Sequence, residues 1–275
     1  MSLPSMFDVP FRHISISISD VADLITSVRD ELKNQLPAGS RWTEPVAGTF
    51  QSPDCGDGNW ISLTVARVSA SRISYQLKDN TGLMITVDTG NIICQDILAS
   101  PAVTTLHIFS SPYYLVVDSA GGTAGTPEVF ACGILDRSPE PLVRPRASFW
   151  SSRGPRTNLG TLGSPSFMQC IILPVGATAY SSGGSNVHDR NPAGGGYYDR
   201  ITVNGIAKFE PMEFANGDWF LGRAFNLLIG DGWQFPYGSI VTVPLDDVTT
   251  GTFFATGWTN QNANYNHIRI FARIS

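Results

Sequence analysis

Five guanidinium groups fall between residues 137 and 156: Arg137, Arg144, Arg146, Arg153 and Arg156. Only Asp136 and Glu140 offset them, which leaves a local charge of +3, and Phe149 and Trp150 lie among them. An arginine fork donates in parallel to phosphate, carboxylate or carbonyl oxygens, and an aromatic ring beside it stacks on a base. The set therefore suits either nucleic acid passing nearby or the acidic or carbonyl-rich face of an adjacent subunit. The whole chain carries 18 basic and 23 acidic residues, a net charge of −5, and that balance favours the protein face. The doublets Tyr113-Tyr114 and Tyr197-Tyr198, with Trp219, Trp233 and Trp258, suit a sugar-binding platform or ordinary core and turn packing alike.

Other chemistries fit less well. GGTAGT at 121–126 and GGSN at 183–186 are glycine-rich, yet neither forms GxGxxG or GxxxxGK[ST] between a strand and a helix, so both read as plain loops. Ser185, His188 and Asp189 crowd one glycine-rich stretch, where a nucleophile and its base are hard to preorganise, and no GxSxG elbow precedes a helix. Asp54 with Asp57, and Asp246 with Asp247, sit in turn-like contexts without a DxDxDG calcium loop. Cys55, Cys94, Cys132 and Cys170 form no CxxC and read as buried reduced thiols. His13, His107, His188 and His267 are scattered, so a zinc site would need ligands gathered from across the fold. The expectation is a protein with no catalytic set, no cofactor and no metal, and not an enzyme.

The elements that must position these residues follow from composition and period. The chain has 275 residues, enough for one large domain or two small ones. Its hydrophobic fraction of 42% and charged fraction of 15% exclude disorder and coiled coil, while 27 Gly and 18 Pro point to turns and short strands. No run approaches the roughly 18 apolar residues of a membrane span, and the opening MSLPSMFDVPF lacks the layout of a secretory signal, so the expectation is an unexported protein with no membrane partner. Ile14, Ile16 and Ile18 alternate with Ser15, Ser17 and Ser19, the period of a half-buried strand. Asp20 then stands as an N-cap, and Val21, Leu24, Ile25, Val28, Leu32 and Leu36 recur at helical spacing until Pro37 and Gly39, with Arg29, Asp30 and Glu31 on the solvent side. Strands are expected at 60–68 and 73–88, the second folded at Asp79-Asn80-Thr81-Gly82, then at 105–119 and 127–136. Residues 137–165, with five prolines and five arginines, and residues 180–199 read as long irregular excursions. Between them lies one apolar strand at 167–175. Further strands follow, ending in HIRIFARIS at 267–275, where Ile268, Ile270 and Phe271 must pair inside their own sheet or with a neighbouring subunit. The fold class predicted is mainly β with one long helix. It starts β-α-β-β-β within residues 1–100 of one β-rich domain over 1–275, with a sandwich or barrel-like antiparallel body.

HIFSSPYYLVV, VFACGILD, FWSSRGPR and the ending GTFFATGWTNQNANYNHIRIFARIS resemble virion structural proteins of tailed bacteriophages, in particular neck and tail-tube-proximal components. The resemblance implies a ring-forming protein at the head-to-tail junction or in the tail, made in the host cytoplasm and carried in the virion. Its partners would be other copies of itself, neighbouring virion proteins and, where the arginine-rich stretch lines a lumen, DNA. Arg137, Arg144, Arg146, Phe149, Trp150, Arg153, Arg156, Tyr197, Tyr198, Ile268, Ile270 and Phe271 are the interface candidates on this reading. A receptor- or glycan-binding tail module is the alternative, and a hydrolase without a recognisable motif the second alternative.

Overall fold

Alternating Ile and Ser residues do build the opening strand, β1 (Arg12–Ile18), and Asp20 does begin the helix, α1 (Val21–Asp30), its Oδ1 accepting a hydrogen bond from the Ala22 amide at 2.8 Å. The structure, a computed structural model, describes residues 7–55, 58–83, 93–97, 104–119, 128–136, 148–153, 167–172, 181–185, 202–203, 206–207, 209–216, 219–232, 234–259 and 268–275. After the helix come β2 (Thr43–Val46), β3 (Thr49–Gln51), β4 (Ile61–Arg67), β5 (Arg72–Asp79) and β6 (Ile93–Asp96). The middle of the chain gives β7 (Thr104–Ser110), β8 (Tyr114–Ser119), β9 (Glu128–Ile134), β10 (Ser148–Arg153), β11 (Phe167–Ile172) and β12 (Ser181–Ser185). Then follow β13 (Thr202–Val203), β14 (Ile206–Ala207), β15 (Glu210–Asn216), β16 (Trp219–Asp231), β17 (Ile240–Pro244), β18 (Thr250–Thr259) and β19 (Ile268–Arg273).

All pairing is antiparallel. A central sheet runs β1-β7-β8-β9-β10-β11-β12, a meander sheet β2-β3-β4-β5-β6, and a C-terminal sheet β15-β16-β19-β18-β17, with β13 and β14 forming a small separate hairpin. The helix and the meander sheet are thus inserted between β1 and its partner β7. Residues 105–119, expected as one strand, divide into β7 and β8 at Ser111, whose hydroxyl accepts from the Tyr113 and Tyr114 amides. The turn expected after β5 forms: Asp79 Oδ1 accepts from the Thr81 and Leu83 amides, and Gly82 takes φ +84°. The strand paired to β5 is β6, with Arg72 opposite Asp96.

The layers explain why β8 reads as a continuous apolar run rather than an alternation. One face of the central sheet (Leu106, Ile108, Leu115, Val117, Phe130, Cys132) packs on α1 and on Leu63, Val65, Ile73, Tyr75 and Leu77 of the meander sheet. The opposite face (Phe109, Tyr114, Val116, Val129, Ala131) packs on Leu227, Ile229, Phe254, Ile270 and Ala272 of the C-terminal sheet. Every residue of β8 is buried as a result. Phe130 and Tyr75 carry the first contact, with ring centroids 3.7 Å apart and planes within 2°. On the outer face of the C-terminal sheet, Phe7, Phe209 and Phe235 pack against the cluster of Leu228, Phe253 and Phe271.

Several expectations are corrected here. Glu31 was placed on the solvent side of the helix, but the helix widens into a π turn over Glu31–Gln35, which turns Glu31 inward. It is buried and receives Arg12 Nε at 3.0 Å, while Leu32 and Leu36 keep their places in the core. The segment 137–165 is not irregular throughout: Ser148–Arg153, carrying Phe149, Trp150 and Arg153, is β10, paired on one side to β9 and on the other to β11. Likewise Ser181–Ser185, within the second excursion, is β12 and extends the central sheet. Both stretches combine a low apolar period with strong pairing, so neighbouring strands decide their state.

Glu44, in β2, fastens the end of the helix. Arg29 Nε donates to its Oε1 at 3.0 Å, Lys33 Nζ to its Oε2 at 2.7 Å, and the Gly48 amide to Oε1 at 2.9 Å. The Lys33 hydrogen bond, with the Gly48 amide and Arg29 adding to it, holds the carboxyl down at about 2, against 4.5 ordinarily. A folded value below the unfolded one stabilises the fold above about pH 4.5, and this contribution fades as pH falls towards 2. Glu44→Gln is therefore expected to cost about 1–2 kcal/mol at pH 7, discounted for the half-exposed cations, and nothing near pH 2. Urea midpoints of the two proteins across that range check it, and a gap that persists at pH 2 would rule out the ion cluster as its cause.

Candidate functional site

Among the described residues, β1 and β17 are each paired to a strand on one side only. β1 is the terminal strand of the central sheet and β17 that of the C-terminal sheet. The two sheets pack face to face, and near β1 the side chains that meet across them are His13, His107 and Phe254 of β18. His107 stands on the Phe254 ring at 4.3 Å between centroids, His13 lies 6.1 Å from it, and Phe254 is the cross-strand partner of Ile240 in β17. β17 reads Ile-Val-Thr-Val-Pro, without a charge; Ile240 is 63% exposed, and Val248, in the following turn, 91%. On β1 the exposed positions are Ser15 and Ser17. Pro244 and the acids Asp246 and Asp247 end the β17 edge, and Asp246 accepts from the Val248 and Thr249 amides, as an ordinary turn aspartate does.

The histidines were read as scattered, and the pairing of β1 with β7 brings two of them together. In that register Ser15 faces His107 and His13 faces Phe109, so the two imidazoles are diagonal neighbours on one face. His13 Nε2 and His107 Nδ1 share a hydrogen bond of 3.1 Å, the rings are stacked within 11°, and His13 also stacks on Phe109 at 4.7 Å. Burial, then the neighbouring His107, pulls His13 down to about 4, and burial lowers His107 too, so both rings are neutral at neutral pH. Alternation places residues 13 and 107 on matching faces, but only the register across 94 residues puts them side by side, and that register could not be read in advance.

Behind them the same row continues into the protein. Asp118, directly opposite His107 on β8, is buried, and its Oδ2 accepts from the Gly257 amide of β18 at 2.9 Å. Thr256 Oγ1 donates to the Ile270 carbonyl at 2.8 Å, and Arg269 Nη1 donates to the Thr256 carbonyl. Burial raises the Tyr237 phenol, Asp118 raises it further, and Arg269 works against both. These groups tie the central sheet to the C-terminal sheet by polar contacts between two apolar layers.

The interface candidates that fall among the described residues are not gathered at this site. Ile270 and Phe271 are fully buried, and β19 has β16 on one edge and β18 on the other. Its apolar strand, Ile268 included, is paired inside its own sheet, which removes it as a strand offered to a neighbour. Phe149, Trp150 and Arg153 lie in the interior of the central sheet's strand order, on β10. Arg137, Arg144, Arg146, Arg156, Tyr197 and Tyr198 lie outside the described residues, as does Trp233. Tyr114 is buried and Tyr113 packs on Phe225 at 5.1 Å, so this doublet belongs to the core and not to a sugar platform. In the DCGDGN turn Asp54 Oδ1 accepts from the Gly58 amide, and Cys55 and Cys132 are buried with no disulfide. Among the described residues no three His, Cys, Asp or Glu side chains converge as a metal cluster, and no helix is long and apolar enough to cross a membrane. No protein-family model matches the chain, and no curated protein matches it either.

Proposed function

We propose that the chain is a structural component of a tailed-bacteriophage virion that assembles into an oligomeric ring in the neck or tail. The observation that carries this reading is the pair of terminal strands, β1 and β17, with uncharged β17 flanked by exposed Ile240 at its start and exposed Val248 in the turn beyond its end. Unpaired amides and carbonyls on an uncharged, β-branched edge gain most by adding a strand from another chain. Two such edges on one subunit can each accept a strand, which makes a directional contact of the kind that closes rings. The resemblance of HIFSSPYYLVV and the C-terminal segment to virion components supplies the biological setting, and adjacent virion proteins, or DNA facing the arginine-rich stretch, would be further partners.

The test is the mass of purified protein by light scattering, at working concentration and after tenfold dilution, for the wild type and for the double variant Ile240→Asp with Val248→Asp. Both positions are exposed, so circular dichroism of the variant should be unchanged. A wild-type multimer that the double variant reduces to a monomer is the expected result. A wild-type monomer at all concentrations, or a multimer indifferent to the two aspartates, would overturn the edge-pairing reading.

A further inference from the structure

We propose that His13 and His107 form a binding site for a divalent late transition-metal ion of the zinc and nickel type. The inference does not rest on the assembly reading. Two imidazole nitrogens bound at 2.0–2.1 Å to one tetrahedral ion are separated by about 3.3 Å, and Nε2 of His13 and Nδ1 of His107 already stand 3.1 Å apart. A small rotation of each ring about its side-chain bonds redirects both lone pairs from one another to a shared point. The hydrogen that now bridges them has a place to go: whichever ring donates it rebinds it at its other nitrogen, and no proton leaves the protein.

The pair is held by its surroundings. The rings project from adjacent paired strands, His13 stacks on Phe109, and His107 stands on Phe254, so the backbone and two aromatic platforms fix where the nitrogens meet. Both side chains are half-exposed at the open β1 edge, beside the exposed Ser15, which gives an ion an entry path and leaves its remaining positions to water. The donor set decides the class of ion. Two neutral imidazoles suit zinc, nickel and copper, whereas calcium and magnesium demand oxygen, and the buried Asp118 carboxylate on the next strand is turned to the Gly257 amide of β18.

The experiment uses zinc chloride as the probe. Isothermal titration of wild-type protein is expected to show one zinc ion per chain. His13→Gln and His107→Gln are each expected to weaken it at least tenfold, while His188→Gln and His267→Gln leave it unchanged. Carbethoxylation of wild-type protein read by mass spectrometry gives a second answer that needs no variant: zinc should protect His13 and His107 and neither of the other two. Absence of zinc binding, binding indifferent to both variants, or protection confined to His188 and His267 would each overturn the assignment.

Discussion

Phe130→Ala is expected to lower the unfolding free energy by about 3–5 kcal/mol, measured by urea denaturation at fixed protein concentration. Phe130 is fully buried in β9, where it faces Val117 of β8 and Ser152 of β10 across the central sheet. Its ring lies flat on Tyr75 of the meander sheet. Removing it opens a void between two layers that cannot close, because each layer is a hydrogen-bonded sheet and neither can sag locally to fill the space. Phe130→Leu, which keeps most of the volume, should recover more than half of the loss. A loss below about 1 kcal/mol for the alanine variant would mean that the meander sheet does not lean on the centre here.

The second large effect is expected at Asn226. This residue interrupts β16 with φ +54°, a left-handed conformation that asparagine tolerates and alanine does not favour. Its Nδ2 donates to the Val9 carbonyl at 3.1 Å, and its Oδ1 accepts from Arg273 Nη1 at 3.3 Å; the same guanidinium nitrogen donates to the Phe7 carbonyl at 2.8 Å. One buried side chain therefore joins the N-terminal strap at Phe7–Val9, strand β16 and the end of β19. Asn226→Ala should cost about 2–4 kcal/mol, from one buried and one part-buried hydrogen bond and a strained backbone. Asn226→Gly should cost about 1 kcal/mol less, since glycine removes only the backbone part of the penalty. Equal losses for the two would show that the left-handed turn is not what alanine disturbs.

Much of this architecture was legible in the chain. Ile14, Ile16 and Ile18 placed β1, Asp20 placed the helix start, and Asp79 with Gly82 placed a turn, because in each case the determinant is local: a period of two, a cap, a positive φ. What stayed hidden depends on partners distant in sequence. Glu31 faces inward because a π turn rotates it towards Arg12, nineteen residues away. β10, inside a stretch of prolines and arginines, is a strand because β9 and β11 flank it. The final strand was correctly read as needing partners, but its own sheet supplies them on both sides, so the choice between self and neighbour was not contained in its apolarity. At the candidate site the strand carrying His13 and the segment carrying His107 could each be seen, but that the two histidines meet follows only from the register between β1 and β7.

The position of β19 fixes an order of events during synthesis. It is made after β15, β16, β17 and β18, yet it lies between β16 and β18 in the finished sheet. Before Ile268–Arg273 docks, β15 can pair with β16 and β17 with β18, but β16 and β18 each lack the partner that β19 supplies. Each then presents an apolar strand with free amides to any other chain in the same condition. Six residues, Ile268–Arg273, convert two exposed hairpins into one continuous layer when they emerge. A stall or cleavage just before Ile268 would thus release a chain whose first two layers are complete and whose third is a pair of sticky ends.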